Sequence, residues 1–521
     1  MIARKLGAAL ALLGLGLAGA ELRAAPPRPS DRAAELREVE LQAPAEEEPP
    51  PLLDDLDPIE LDRPIAPPHP NTPREATAVE LHEPTSVKPT PEVPKKPTFV
   101  RPDDKPPVSL TPSAHYYLRS QGRYNAENDP AVGDREHHIY QRVRLGLLAT
   151  MGPLRAFVQV HDVRRWGFEE ATIANQANVD LHQGYLELGR KRSQRSGFVR
   201  VGRQEIQVGS RRLIADRNWH PVGQSFDAVR LYGAVGRFGA DVGVMVLGHA
   251  RAFTVDDPSG DPELATPTAS PGSYAGYVEL FAHLSGALKL EALAIGLFER
   301  PTPWAPTVER NIVNAGMRFF GEPLPGVTYD VEAYAQGGTN LGLRHRAWAL
   351  LSDVGYTFNH HLRPGGHLRY HYASGQACAG TPEEGCGNTS STEFHRLFGL
   401  RHAFYGIVDR VAHSNLRELE IATKVRPHES VKLNLSYHFL QLDQPTGLWQ
   451  NAPDQAVGRG WDPTNTDRNL GHEIDFIVNY RPYQPLMVQP GYGVFFPLEA
   501  ARRLTGPAPQ HFIYLWLIAN F

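Results

Sequence analysis

Nine basic side chains carry the chemistry this sequence offers: Arg142, Arg144, Arg155, Arg200, Arg203, Arg230, Arg318, Arg369 and Lys432. A guanidinium grips a carboxylate through two parallel hydrogen bonds, whereas an ammonium acts as a point charge. A file of such groups along a conduit would pass an anionic polymer from one weak site to the next without trapping it. Val143, Leu145 and Leu147 alternate with Arg142 and Arg144, so an extended chain puts both arginines on the face opposite the apolar one. The same rule turns Arg155, Arg230, Arg318, Arg369 and Lys432 inward. Arg200 and Arg203 fall on opposite faces of an ideal strand; Gly202 between them suits a bulge, and one of the two is expected to face inward. The pair Arg211-Arg212 and Arg217 sit in a long loop that could fold back into the mouth. Glu187, Glu332, Glu418, Glu420, Glu473 and Asp475 share the inner face. The interior is therefore read either as an electropositive constriction or as a mixed, weakly selective lumen whose arginines pair with the protein's own carboxylates.

Catalysis has no comparable support. His161-Asp162 is the nearest approach to a hydrolase triad, and no Gly-x-Ser-x-Gly elbow accompanies it. His137-His138 and His360-His361 are adjacent pairs, which suits solvated strand ends better than metal ligation. The acidic run from Asp256-Asp257 to Asp261 could hold calcium with low specificity. No catalytic residue, metal or cofactor is assigned. The 2 cysteines, Cys378 and Cys386, are expected to form a disulfide that stiffens one outer loop in an oxidising compartment. Nucleic acid is not an expected partner, because no basic patch stands out and the N-terminal segment is acidic.

The elements that must position these residues alternate with period two. Val431, Leu433, Leu435, Tyr437 and Phe439 share one face, and Lys432, Asn434, Ser436 and His438 the other. Ile474, Phe476, Val478 and Tyr480 alternate with Glu473, Asp475 and Asn479 in the same way. Segments of about ten residues with one apolar and one charged face suit a barrel wall between lipid and a wet lumen. A soluble sandwich also alternates, but three features decide against it. Aromatics gather at segment ends, as in His115-Tyr116-Tyr117, Phe319-Phe320 and Phe495-Phe496, where interfacial girdles lie. Connections alternate between short and long after the first. The last segment sets Ile513, Leu515, Leu517, Ala519 and Phe521 on one face, resembling the terminal strand by which outer-membrane barrels are recognised for insertion. The fold class predicted is all-β: a transmembrane antiparallel up-and-down β-barrel of about 18 strands over residues 113–521, with both ends in the periplasm. Two of its strands are expected at 327–336 and 346–358, and the turn at Gly189–Ser196 is expected to be the longest of the short class.

The N-terminal part is different in kind. Met1–Ala20 reads as a signal peptide, with Arg4 and Lys5 before an apolar run from Leu6 to Leu17 and a small-residue cleavage site at Ala18-Gly19-Ala20. Of the 46 prolines, 22 lie between Pro26 and Pro112, where the chain also carries 10 basic and 18 acidic residues. Such a segment, 21–112, buries too little to offset its ordering entropy and is expected to be disordered and periplasmic. Extended, residues 26–112 would reach roughly 270 Å at about 3.1 Å per residue, enough to touch a periplasmic secretion partner, to thread toward a pore or to act only as a spacer.

Two blocks of residues resemble a known family. The first runs through Val201-Gly202-Arg203-Gln204, Gly209-Ser210-Arg211-Arg212-Leu213-Ile214, Asn218-Trp219 and Phe226-Asp227-Ala228-Val229-Arg230. The second holds His402-Ala403-Phe404-Tyr405-Gly406, Asp409, Asn415-Leu416 and the segment from Lys424 to His438. In order and spacing they are similar to the alginate-export family of outer-membrane porins. The resemblance covers residues 113–521 and leaves the Pro-rich segment out. It implies an 18-stranded barrel that conducts an anionic polysaccharide through an arginine-rich constriction. One departure is Ser374-Gly375-Gln376, where the family pattern has an acid after Ser-Gly. The function expected is passive conduction of an anionic exopolysaccharide or related acidic sugar by a monomer in outer-membrane lipid. A general or differently selective porin is the alternative, and a barrel enzyme a weaker one.

Overall fold

The computed structural model describes residues 108–128, 134–166, 179–192, 195–247, 272–301, 309–383, 385–402 and 404–521. The expected signal peptide, the Pro-rich segment up to residue 107 and the acidic run from Asp256 to Asp261 lie outside them. Nineteen strands are present: β1 (Ser109–Tyr124), β2 (Arg135–Met151), β3 (Leu154–Arg165), β4 (Val179–Arg192), β5 (Arg195–Gln204), β6 (Phe226–Val235), β7 (Phe238–Val246), β8 (Tyr274–His283), β9 (Lys289–Glu299) and β10 (Arg310–Leu324). They continue as β11 (Val327–Asn340), β12 (Leu343–Thr357), β13 (Gly365–Ala373), β14 (Ser390–Ser391), β15 (Leu416–His428), β16 (Val431–Leu442), β17 (Asn469–Tyr483), β18 (Leu486–Pro497) and β19 (Gln510–Asn520). The one helix among the described residues, α1 (Glu499–Leu504), follows β18.

Eighteen of these strands make the wall, each antiparallel to its sequence neighbour, and β1 pairs with β19 to close it. β14 lies in a loop and pairs with β12 in parallel. Closure leaves no unpaired edge, the condition for backbone to cross lipid. The burial pattern is inverted relative to a soluble protein. Arg119, Arg142, His371, Glu332 and Glu473 are buried, while Leu145, Val158, Leu186, Val201 and Leu280 are exposed. That inversion assigns the apolar face to lipid and the charged face to the lumen.

The start of β1 and the end of β19 lie at the end of the barrel carrying the short turns, such as Gly152-Pro153 and Gly236-Arg237. In bacterial barrels this is the periplasmic end. Two expectations need correction. β11 and β12 extend to a two-residue turn, Leu341-Gly342, in place of a loop over 337–345. Both residues have positive φ, 51° and 78°, the conformation a twisted two-residue hairpin requires. Likewise β4 runs to Arg192 and β5 begins at Arg195, so that turn is as short as its neighbours. In both places polar residues belong to strands, because a lumen-facing or rim position does not demand an apolar side chain.

Candidate functional site

The lumen is crossed by the long loops. Residues 205–225, between β5 and β6, fold inward as far as the β1–β19 seam, where Trp219 is fully buried. Its ring stacks on His402 at 4.4 Å between centroids and meets Tyr514 and Trp516 edge-on at 4.9 and 5.0 Å. The Arg119 guanidinium lies 3.7 Å from the ring centroid. Tyr117 Oη and Arg119 Nη1 both donate to the Trp219 carbonyl, at 2.8 and 3.0 Å. A β1 pattern that reads Tyr117-x-Arg119 inward thus supplies an aromatic and cationic seat for one loop tryptophan.

Residues 374–415 lie against this first loop. Phe398 N donates to the Leu213 carbonyl, Ala215 N to Phe398 and Leu400 N to Arg211, at 2.9, 3.2 and 3.0 Å. Gly399 permits the approach: a Cβ there would collide with the Arg212 carbonyl. A third loop, 443–468, joins through Ala412 N to the Gln450 carbonyl (2.9 Å) and Trp449 Nε1 to the Arg410 carbonyl (2.7 Å). Ile214, Phe394, Tyr405, Val408 and Trp449 give the three loops a common apolar core inside the barrel. Within 374–415, Cys378 and Cys386 are disulfide-bonded.

The structure separates the nine basic residues into three groups. Arg142 and Arg144 face inward but lie beneath loop 205–225. Arg142 donates to the Asn218, His220 and Pro221 carbonyls, and Arg144 to Glu205 Oε1 at 3.0 Å and Asn218 Oδ1 at 2.7 Å. They hold the loop, and neither is open to a passing solute, since Arg142 is fully buried and Arg144 nearly so. Arg203 lies on the outer face with Val201 and Val229 and pairs with Asp227 at 2.9 Å. The register runs through Gly202 without a bulge, so of the Arg200 and Arg203 pair it is Arg200 that points inward.

The remaining inward arginines are matched to carboxylates. Glu187 is shared by Arg155 (3.2 Å) and Arg200 (2.6 Å), and Arg230 binds Asp241. Arg318 sits among Glu291, Asp330 and Glu332 at 3.1, 2.5 and 3.9 Å. Arg369 is held by Asp353 and by Glu420, the latter at 3.1 Å. Lys432 is half-buried on β16 opposite Asn479. Arg155 has the most open side chain of the paired arginines, 52% exposed, one residue inside the short-turn rim.

Arg212 does fold inward: its Nε reaches Glu332 Oε1 at 3.2 Å, and Arg217 Nε donates to the Gly399 carbonyl. Trp219, His402 and His413 lie in loops, where the alternation rule does not reach, whereas Arg119 on β1 obeys it beside Tyr117. Asn218-Trp219 and His402 stood within the family-like blocks, but nothing in their spacing places them in the lumen. His413 is buried between Phe394 and Tyr405 with neither ring nitrogen hydrogen-bonded. Burial, then the charges of Arg212, His371 and Arg396, hold its pKa well below the ordinary value against the opposing Glu418. A histidine depressed in the folded state contributes stability above its unfolded pKa of about 6.5 that is lost as pH falls. Amide exchange over residues 394–413, corrected for intrinsic chemistry, should therefore accelerate several-fold from pH 7 to pH 5. Exchange indifferent to pH would contradict the buried neutral imidazole.

A closed barrel with lipid-facing apolar residues, a charged lumen and inserted loops defines an outer-membrane channel. The chain belongs to the alginate export family, which it matches over residues 117–513. Among curated proteins none matches the chain in sequence. Three solved Pseudomonas aeruginosa proteins share the fold. OccK2 (OpdF) is 11% identical with a TM-score of 0.52, covering 79% of this chain and 97% of that one. The outer membrane protein opdK is 9% identical with a TM-score of 0.51, over 79% and 99%. OccK8 (OprE) is 10% identical with a TM-score of 0.50, over 79% and 98%. Identities this low speak for the fold alone. Family and fold are those of a transport channel in the bacterial outer membrane.

Proposed function

We propose that this barrel passively conducts an anionic exopolysaccharide or a related acidic sugar, as a monomer, with no catalytic role and no cofactor. The observation that carries the proposal is the group on β3, β5 and β6: three guanidiniums, Arg155, Arg200 and Arg230, hydrogen-bonded to two carboxylates, Glu187 and Asp241. Arg155 stands at the rim and the others mid-strand, so a uronate entering from the short-turn end meets an exposed cation first and an already organised arginine pair next. Membership in the alginate export family supports the same substrate class. The Pro-rich segment would serve as a reach toward a periplasmic secretion partner or as a spacer.

A second reading, a channel without anion preference, is favoured by the other half of the lumen. There Arg318 faces three carboxylates and Arg369 two. Flux into liposomes separates the two. Glucuronate is expected to enter faster than glucose, and the triple variant Arg155→Gln, Arg200→Gln, Arg230→Gln to lower that ratio by about ten-fold through loss of the local field. An unchanged ratio would leave the mixed, weakly selective lumen standing.

A further inference from the structure

Strand β12 sets Arg344, Arg346, Trp348 and Leu350 on one face and His345, Ala347, Ala349 and Leu351 on the other. The second set is buried toward the lumen, so the first looks out at lipid. Three other outward arginines are neutralised by a carboxylate: Arg164 by Asp162 at 2.8 Å, Arg203 by Asp227 at 2.9 Å and Arg417 by Asp443 at 2.7 Å. Arg344 and Arg346 are both exposed and, among the described residues, neither has a carboxylate partner. A bare cation on the lipid face is costly at the bilayer midplane and tolerated near the interface. The position of this pair on the strand therefore matters.

β12 starts just after Leu341-Gly342, at the end of the barrel opposite the short-turn rim, which places both arginines on the outer-leaflet side. Trp348, 51% exposed, stacks on the outward Tyr372 at 4.1 Å between centroids, as in the aromatic belts that sit at headgroup level. Arg346 and Arg344 follow it toward the outside at about 7 and 14 Å along the strand. The wall beside them is bare. Across from Arg346, Trp348 and Leu350 stand Gly337, Ala335 and Ala333 of β11. Nothing lies within 4 Å of where a Cβ on Gly337 would sit. On β10, Ala315 pairs with Ala335 and keeps the floor low. A shallow trough thus runs from Arg346 toward the bilayer interior, with Trp348 and Leu350 along one side.

Two guanidiniums on neighbouring same-face positions can each present paired N–H donors to one phosphate. A phosphomonoester carries about −1.5 to −2 charges at neutral pH, which matches two arginines; a phosphodiester carries one. A floor of Ala and Gly accepts an alkyl chain. We propose that Arg344 and Arg346 hold a phosphomonoester of an outer-leaflet glycolipid, one of whose acyl chains lies in the trough over Ala335 and Ala333. The site is on the outside of the wall and does not depend on what the lumen conducts.

The test is native mass spectrometry of the full chain in an amine-oxide detergent, titrated with diphosphoryl lipid A and separately with phosphatidylglycerol. Expected is saturable retention of one lipid A, at least ten-fold tighter than phosphatidylglycerol and unaffected by a ten-fold excess of inorganic phosphate. The double variant Arg344→Gln, Arg346→Gln should weaken it ten-fold or more, and Arg164→Gln should leave it unchanged. Gly337→Leu, which fills the trough without altering charge, should also weaken it and serves if the double variant fails to fold. Equal retention of phosphatidylglycerol or an equal loss in Arg164→Gln would mean general attraction of anionic lipid. Displacement by inorganic phosphate would mean a free anion. Either result, or full affinity in both the double variant and Gly337→Leu, would overturn the glycolipid site.

Discussion

Trp219→Ala is expected to widen the pore by releasing the loop inserted into it. The tryptophan is the anchor of loop 205–225, fully buried and held by the ring of His402, the edges of Tyr514 and Trp516 and the guanidinium of Arg119. Truncation removes these contacts and leaves a cavity beside a buried guanidinium, a loss of about 3–5 kcal/mol. The wall strands do not depend on it, since their ladders are closed without the loop. The variant should therefore still insert and keep its heat-modifiable mobility, while its single-channel conductance rises several-fold. Conductance equal to that of the unaltered protein would show that the loop is held by other means.

Glu332→Ala should act on the wall instead. This carboxylate, 1% exposed, accepts from Ser210 Oγ at 2.7 Å, Arg212 Nε at 3.2 Å and Tyr334 Oη at 2.5 Å, and lies 3.9 Å from Arg318. Its loss strands Arg212 in a nearly dry interior and removes one of three carboxylates around Arg318. Breaking a buried pair from one side costs about 3–5 kcal/mol. The comparison is Glu309→Ala at the partly open Arg300–Glu309 pair (3.4 Å), where about 0–1 kcal/mol is expected. Denaturant unfolding from lipid vesicles measures both. A Glu332→Ala midpoint indistinguishable from that of Glu309→Ala would mean that the network does not stabilise the barrel.

The wall was legible in the sequence because lipid imposes a strict rule. Every second residue of a strand such as Val431–Leu442 must be apolar, so alternation, connection lengths and strand number could be read directly. The contents of the lumen could not. Inside, a polar residue satisfies the pattern whether it meets solute, a carboxylate or another loop, so Arg142 and Arg318 look alike in sequence and do different work. Loops 205–225 and 374–415 obey no period, and their insertion is set by particular fits, Trp219 against Arg119 and Gly399 against the Arg212 carbonyl. Arg203 went to the lipid side because one strand position decides a face, and only the register could settle it. The inward carboxylates were visible from the start; what they bind was not.

The most direct measurement is the single-channel current of the full chain in a planar bilayer under a salt gradient, with an oligouronate and then a neutral oligosaccharide of equal length added. If the arginines of β3, β5 and β6 guide an acidic sugar, the reversal potential shifts toward the anion and the oligouronate blocks the current at lower concentration than the neutral chain. Cation selectivity, or equal block by both, would contradict conduction of an anionic saccharide and leave an outer-membrane channel of another selectivity.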